Sequence, residues 1–185
     1  IFVSLTNANK LQIYDTNGVL IRDFGADIRG AKGIDAGSSN IYATDGLRKS
    51  LKVYDFSQVL VSEIAPFVDP YDVAVGNDGI FVLDKGSNSI LKFSETRINI
   101  FEEPEEEPAE YEMVMNINGL GLNAPEGLAF DWDGIDEYLY VADKGNNRLL
   151  KLKLPTISPM YMWDNFKAAL ARQDIDEAVS YFHPE

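Results

Sequence analysis

The sequence contains one segment in two clear copies: residues 80–93 read IFVLDKGSNSILKF and residues 139–152 read LYVADKGNNRLLKL. In each copy an apolar run ends in Asp-Lys-Gly, and a short polar stretch leads into a second apolar run. A segment that recurs with the same internal order is typical of repeat architectures. The chain is therefore expected to consist of repeated supersecondary units.

Two weaker copies lie upstream, at residues 41–54 and 1–14. The first keeps an aspartate, Asp45, and the second has Leu5 in the aspartate position. Successive aspartate positions are 40, 39 and 59 residues apart, and in every copy an apolar residue follows six positions later. A unit of roughly forty residues has the length of a four-stranded propeller blade. The longer last interval indicates an insertion between the third and fourth units.

The residues around each copy are typical of short strands joined by tight turns. Asn77–Gly79 and Asp131–Gly134 carry the Asn, Asp and Gly residues that such turns favour. Apolar runs rich in β-branched and aromatic side chains lie between the turns and predict β-strands. The fourth strands of the first three units are predicted at 19–22, 59–62 and 97–100. The predicted fold class is all-β.

The best copy resembles the NHL repeat of β-propeller proteins. Residues 125–130 read PEGLAF, and together with 139–152 they follow the NHL pattern P-x-G-L-A-F and then L-Y-V-A-D-x-G-N-N-R-L. Residues 70–93 match well, 31–56 match loosely, and 1–24 match in outline. The resemblance implies an NHL-like β-propeller with about four incomplete blades of four-stranded antiparallel sheet.

The predicted organisation is a partial β-propeller over residues 1–154, followed by a linker and a short αα-hairpin over 155–185. Apolar residues of the tail fall at helical spacing on both sides of Gln173-Asp174, which favours two short helices. A closed propeller typically needs four to eight blades, so we expect the chain to be a fragment of a longer protein. The units are expected at about 1–25, 30–65, 69–101 and 124–154, with an acidic insertion at 102–123.

The insertion contains an acidic run, because residues 101–112 include seven glutamates and two prolines. Such a run repels itself and buries little apolar area, so we expect an exposed loop between two units. A weak site for a divalent cation or a basic partner is the alternative. The run lacks the spaced Asp, Asn and Gly residues of calcium-binding loops, which favours the linker interpretation.

The repeated turn residues are Asp45, Asp84 and Asp143, together with Gly86 and Gly145. At the end of a strand, an aspartate can accept hydrogen bonds from backbone N–H groups of the next turn. A structural role in the repeat is therefore predicted for these five residues. The alternative is a ring of carboxylates that holds a metal ion in the channel, as in sugar-lactonase-like propellers, but no such ligand set can be identified in the sequence.

Composition argues against several classes of function. The formal net charge of −14 argues against nucleic acid and acidic membranes as partners, since both require a basic surface. The chain has no cysteine, and its one histidine, His183, lies outside the repeats, so a Ser-His-Asp triad or a histidine metal site within the repeats is excluded. We predict no catalytic residue, cofactor or metal ligand here, and Lys85 and Lys144 are interpreted as residues of the propeller rim.

Three functional hypotheses follow. The favoured one is a non-catalytic β-propeller scaffold or binding module within a larger bacterial protein, secreted or at the cell surface, that contacts a protein partner or neighbouring domains. The second is a metal-dependent lactonase- or lyase-like propeller enzyme with ligands on further blades. The third is a structural subunit of a filament or surface layer that self-assembles through open propeller edges. No run of eighteen apolar residues occurs, so no membrane span is predicted within this stretch.

Overall fold

The computed structural model describes residues 1–96 and 110–155. This part of the chain contains fourteen β-strands and two one-turn 3-10 helices, which confirms the all-β class predicted from the sequence. The predicted strand at 97–100 and the predicted hairpin, from residue 156 onward, lie outside the described residues. Within the described ranges, no helix is long and apolar enough to span a bilayer.

Four antiparallel sheets follow one another along the chain, and the strands of each sheet are hydrogen-bonded in sequence order. Antiparallel neighbours need only short connections, which the Gly-, Asn- and Asp-rich segments supply. The first sheet contains β1 (Phe2–Leu5), β2 (Lys10–Tyr14) and β3 (Leu20–Phe24). The second contains β4 (Ala31–Ala36), β5 (Asn40–Asp45), β6 (Ser50–Asp55) and β7 (Leu60–Ile64). The third and fourth contain β8 (Pro70–Val75), β9 (Ile80–Asp84), β10 (Ser89–Thr96) and β11 (Glu110–Ile117), and then β12 (Gly127–Trp132), β13 (Glu137–Asp143) and β14 (Arg148–Lys153).

The fourth strand of the third sheet lies where the sequence predicted an insertion. β11 falls within residues 102–123 and pairs antiparallel with β10, with one register shift after Lys92. The Tyr111 ring packs edge-on against Tyr42 of β5, with the ring centroids 6.2 Å apart. The sequence predicts an exposed loop here, because glutamates bury little apolar area, but residues 110–117 form a strand that pairs with β10, and Tyr111 also packs against the second sheet.

Apolar side chains fill the spaces between neighbouring sheets. Alternate residues of a strand face opposite sides, so the adjacent residues Ile41 and Tyr42 of β5 enter two different clusters. The cluster between the first and second sheets consists of Leu11, Phe24, Ile28, Ala31, Ile41, Ala43 and Tyr54. The cluster between the second and third sheets consists of Tyr42, Leu51, Val53, Phe67, Val73, Ile80, Val82 and Phe93.

The first strands of the second and third sheets, β4 and β8, lie against each other. A Cβ atom added to Gly33 of β4 would stand 2.5 Å from the Cα atom of Asp72 in β8, so this approach requires glycine. Gly33 occupies the same place in its unit as Gly127 in the PEGLAF stretch. Gly33 therefore permits the close contact between β4 and β8.

One apolar position of the repeat is buried in three sheets and exposed in the fourth. Leu11, Leu51 and Ile90 are fully buried, whereas Leu149 is 69% exposed at the same position. Leu51 belongs to the cluster between the second and third sheets. The burial of this side chain therefore depends on the sheet that follows along the chain.

The chain divides into two compact units. In the described part of the smaller unit, the Leu154 N–H donates to the Glu137 carbonyl at 2.8 Å, and the Lys153 Nζ atom lies 2.6 Å from Asp136 Oδ2. The domain boundary predicted after residue 154 stays a prediction. The larger unit consists of Ile1–Asp131 and Tyr138–Leu152, and the smaller consists of Trp132–Glu137 and Lys153–Glu185.

The repeat position offers a matched pair of substitutions. Leu51→Ala is expected to lower the free energy of unfolding by about 2–5 kcal/mol, because a fully buried side chain and its packing are lost. Leu149→Ala is expected to change it by less than about 0.5 kcal/mol, because this side chain is largely exposed. Urea denaturation followed by circular dichroism measures both values. Equal losses in the two variants would contradict the dependence on the following sheet.

Candidate functional site

The aspartate at the end of the second strand of a unit binds the loop that enters the same sheet. At the end of β5, Asp45 accepts a hydrogen bond from the Arg29 backbone N–H at 2.9 Å. At the end of β9, Asp84 accepts one from Val68 at 2.9 Å and one from Asp69 at 2.7 Å. Both carboxylates are buried, and the Arg29 and Val68 donors lie sixteen residues upstream of them. The same clamp thus recurs in two sheets.

Asp143, at the end of β13, forms the corresponding contact in the fourth sheet. Its carboxylate accepts hydrogen bonds from the Asn123 backbone N–H, the Asn146 side-chain amide and the Arg148 Nε–H, each at 2.7 Å. Burial raises the pKa of Asp143, but these donors outweigh burial and hold that pKa below its ordinary value. The sequence predicts the N–H donors in the following turn. The structure places one there, Arg48 to Asp45, and the other backbone donors in the preceding loop.

Gly86 and Gly145 allow the turn to approach the same loop. A Cβ atom on Gly86 would stand 2.5 Å from Val68 Cγ1, and one on Gly145 would be equally close to a backbone carbonyl. The left-handed residues of these turns come two positions later, where Asn88 and Asn147 have φ angles of 50° and 48°. Asparagine is enriched among non-glycine residues with positive φ. Space therefore requires the glycines, and backbone conformation favours the asparagines.

Two further carboxylates connect the first strands of neighbouring sheets. Asp35 of β4 accepts a hydrogen bond from the Val75 N–H of β8, and Asp72 of β8 accepts one from the Leu128 N–H of β12, both at 2.8 Å. Burial raises the pKa of Asp72, although its hydrogen bonds with Leu128 and Val73 oppose the rise. Neither residue is predicted from the sequence to have this role. The signal was an aspartate inside a predicted strand, where this residue type is depleted.

Five charged or aromatic side chains lie at the same strand ends as the aspartate clamps, and we call this group the rim. Two of its members are the second residues of β4 and β8, one directly precedes β12, and two directly follow Asp84 and Asp143. Because the first two strands of a sheet are antiparallel, the start of one and the end of the other lie together. The rim consists of Lys32, Tyr71, Lys85, Glu126 and Lys144.

Tyr71 lies between two lysines of the rim. The Nζ atoms of Lys32 and Lys85 are 4.4 and 4.6 Å from the centroid of its ring. Each such cation–π contact contributes about 0.5–1 kcal/mol at an exposed site. Lys32 Nζ also lies 2.7 Å from Asp69 Oδ1, on the loop that Asp84 clamps. The ring and its two cations therefore limit one another's freedom.

The Glu126 carboxylate accepts hydrogen bonds from two lysines of the rim. Lys85 Nζ is 2.5 Å from its Oε1 atom, and Lys144 Nζ is 2.8 Å from its Oε2 atom. The hydrogen bonds from Lys144 and Lys85 lower the pKa of Glu126 to about 2, and Glu126 in turn raises the pKa of Lys144. Lys85 follows the third sheet's β9 and Glu126 precedes the fourth sheet's β12, so this ion pair connects two sheets.

A buried lysine in the second sheet is not predicted from the sequence. Lys52 of β6 is 1% exposed, and its Nζ atom lies 3.1 Å from Asp27 Oδ2 and 2.9 Å from Glu63 Oε2. The Tyr54 hydroxyl donates to Asp27 at 3.0 Å, and burial followed by the Asp27 charge raises the pKa of Tyr54. Burial raises the pKa of Asp27, but the hydrogen bonds of Lys52 and Tyr54 outweigh it. Lys52 and Tyr54 are two positions apart in β6 and therefore face the same side of the strand. This spacing was the signal in the sequence that could have indicated burial of Lys52.

Metal ligation was the alternative interpretation of the repeated aspartates. In residues 1–96 and 110–155, no group of three or more His, Asp or Glu side chains is arranged to hold a metal ion. Asp45, Asp84 and Asp143 instead direct their oxygens toward N–H donors of their own sheets. The chemistry of this end of the described sheets is therefore hydrogen bonding and charge pairing.

We expect Asp84→Asn to lower the free energy of unfolding, because Asp84 holds the loop that enters its sheet. Each oxygen of Asp84 accepts a different backbone N–H, so an amide leaves one of them without an acceptor, at a cost of about 1–3 kcal/mol. Asp15→Asn is the matched control, because a single oxygen of Asp15 accepts both of its N–H donors and is retained in asparagine. Chemical denaturation measures both variants. A loss in Asp15→Asn as large as in Asp84→Asn would contradict the clamp.

Glu126 predicts a pH-dependent contribution to stability. Its pKa in the folded chain is about 2 against an ordinary 4.5, so its stabilising effect is present above about pH 4.5 and is lost as the pH falls toward 2. Thermal melts of the wild type and Glu126→Gln should therefore differ most near neutral pH and converge in acid. In about 1 M salt the difference should shrink, because salt weakens ion pairs that are accessible to solvent. A difference that does not change with pH would refute this role.

Comparison with solved structures identifies the fold. The chain resembles selenomethionine-substituted virginiamycin B lyase from Staphylococcus aureus, with a TM-score of 0.54, 14% sequence identity, and coverage of 82% of this chain and 51% of that one. It also resembles a streptogramin B lyase, with a TM-score of 0.54, 15% identity, and coverage of 82% and 50%. The chain thus spans about half the length of these structures. No family model and no curated protein matches the sequence. Both neighbours are β-propellers, and the four sheets have a β-propeller fold, as predicted.

Proposed function

We propose that this chain is a non-catalytic, NHL-like propeller module that binds a protein partner through the rim. The observation that carries the proposal is the position of Tyr71 between Lys32 and Lys85, beside the Glu126 pair. Tyrosine is enriched among the residues that dominate binding energy at protein interfaces. Neighbouring charges of both signs select a partner by electrostatic complementarity. A rim of this composition therefore supports protein recognition.

Pre-organisation also supports binding at the rim. Lys85 is held by Glu126 and Tyr71, and Lys32 is held by Asp69 and Tyr71. Ordering a free lysine at an interface costs about 0.5–1.5 kcal/mol. Side chains that are already restrained lose less conformational entropy when a partner docks. The rim can thus act as a rigid contact surface.

We propose a non-catalytic role because the oxygens of the repeated carboxylates already accept hydrogen bonds from the protein backbone. Asp84 and Asp45 accept backbone hydrogen bonds through both of their oxygens. A general base must instead reach a proton of the substrate. The similarity to NHL repeats rests on the motif at 125–152. The location of the chain outside the cell, within a larger bacterial protein, rests on the sequence alone. The NHL-like character and this location are both parts of the proposal.

Tyr71→Ala tests the rim. We expect quantitative affinity capture from extract and medium of the source cells to show proteins that the wild-type chain retains and Tyr71→Ala loses, because the central ring of the surface is gone. Phe56→Ala is the matched control, since Phe56 is an exposed aromatic residue, 47% accessible, outside the rim. The proposal is contradicted if Tyr71→Ala and Phe56→Ala lose the same captured proteins, or if neither variant loses any.

A direct assay tests the absence of catalysis. The solved neighbours are named as lyases of virginiamycin B and streptogramin B. We expect the purified chain, with added divalent cations, to leave virginiamycin B unchanged in a chromatographic assay. Turnover of virginiamycin B that rises with protein concentration would replace the binding proposal with the lyase-like alternative.

A further inference from the structure

A cleft lies at the strand ends opposite the rim. Its walls come from the turn between β4 and β5, the turn between β8 and β9, and the end of β10, and its volume is about 600 Å³. The rim residues lie where β8 begins and β9 ends, whereas this cleft lies where β8 ends and β9 begins. Clefts that bind small ligands usually measure about 300–1,000 Å³. The cleft therefore has the size of a ligand site and is separate from the rim.

Two aromatic side chains line the cleft, and each is held by a neighbouring ring. Tyr42 is almost fully buried and makes an edge-on contact with Tyr111, with their hydroxyl oxygens 3.5 Å apart. Phe130 stacks on Phe81, with centroids 6.3 Å apart and an interplanar angle of 14°. Rings held in this way form a rigid apolar wall.

Gly76 shows that the cleft depends on close packing of this wall. A Cβ atom at Gly76 would stand 2.9 Å from a ring carbon of Phe81 and 3.0 Å from one of Phe130. Its φ angle is not in the left-handed region, so conformation does not require glycine here. The need for glycine comes from the approach of the two rings to the backbone.

The polar side of the cleft is negatively charged. Glu95 and Asp78 line it, together with Ser38 and Ser94. Asp78 is paired with Lys92 at 2.7 Å, and Lys92 is itself not among the lining residues. Glu95 of β10 is paired across the two strands with Tyr111 of β11, and its charge adds to burial and Tyr42 in raising the pKa of Tyr111.

We propose that this cleft binds an organic cation, the guanidinium or ammonium group of an arginine or lysine side chain in a peptide. Aromatic faces attract such cations, and a carboxylate beside them adds a charged hydrogen-bond acceptor. The chain carries a formal net charge of −14, which raises the local concentration of cations at its surface. A partner bound at the rim would leave this site open, so the inference goes beyond the proposed function.

The test is a nuclear magnetic resonance titration of the whole chain, labelled with ¹⁵N, with the peptide acetyl-Gly-Arg-Gly-amide. Gly37, Gly76 and Gly79 line the cleft, and Gly86 and Gly145 belong to the turns at the rim end. We expect saturable shifts of the first three amide signals and none of the last two. Acetyl-Gly-citrulline-Gly-amide is the matched neutral probe, because citrulline has nearly the shape of arginine without its charge.

Two comparisons decide the outcome. Glu95→Gln should weaken binding of the arginine peptide roughly tenfold, because it removes the charge with little change of shape. Asp15→Asn removes one negative charge from a turn of the first sheet and should leave the affinity unchanged. If Glu95→Gln does not fold, the comparison of the arginine and citrulline peptides on the wild type still decides.

Three results would overturn the inference. The arginine and citrulline peptides could bind equally, methyl glucoside could shift the cleft glycines while the arginine peptide does not, or the shifts could fall on Gly86 and Gly145. Peptide binding at the cleft should not depend on the rim. We therefore expect Tyr71→Ala to bind the arginine peptide as tightly as the wild type does. If Tyr71→Ala loses none of the captured proteins but still binds the arginine peptide, the proposed function alone is rejected.

Discussion

Hydrogen bonds from backbone N–H groups to buried carboxylates are the interaction on which this architecture depends. The segment that leads into each sheet carries N–H groups outside the regular ladders, and a buried donor without an acceptor costs about 1–3 kcal/mol. Asp45, Asp84 and Asp143 are themselves buried and supply these acceptors at the end of the second strand of their units. A charged acceptor makes a stronger bond than a neutral one. The carboxylates thus hold together segments that lie far apart in sequence.

The two ends of the strands consequently differ in what they can do. At the clamped end, the turn glycines and the entering loop are in contact, and the rim side chains project from a backbone with little freedom. At the other end, hairpin turns join the first and second strands without such a clamp, and the space between them is the cleft lined by Tyr42, Phe130 and Glu95. One end therefore offers an ordered surface, and the other offers a concave site with a negative charge.

Much of the fold could be predicted from local sequence, because strands and turns have a short period and characteristic residues. The doubled segment predicted β9, β10, β13 and β14 and the aspartate at the end of each second strand. The functional features were harder to predict. A lysine in a strand is normally expected to be exposed. The burial of Lys52 is possible because Asp27 and Glu63, which come from two other segments of the chain, pair with its charge. The clamp donors were misplaced because they come from a loop sixteen residues upstream.

The sequence by itself determined the repeat, the all-β class and the positions of Asp45, Asp84 and Asp143, since each follows from a pattern within about forty residues. Only the tertiary structure decided which N–H groups those carboxylates accept, that β11 completes the third sheet, and that the rim and the cleft lie at opposite strand ends. The physical reason is that each of these features joins residues of different sheets or loops. Strand periodicity specifies which side of a strand faces inward, whereas packing between sheets specifies what that side meets.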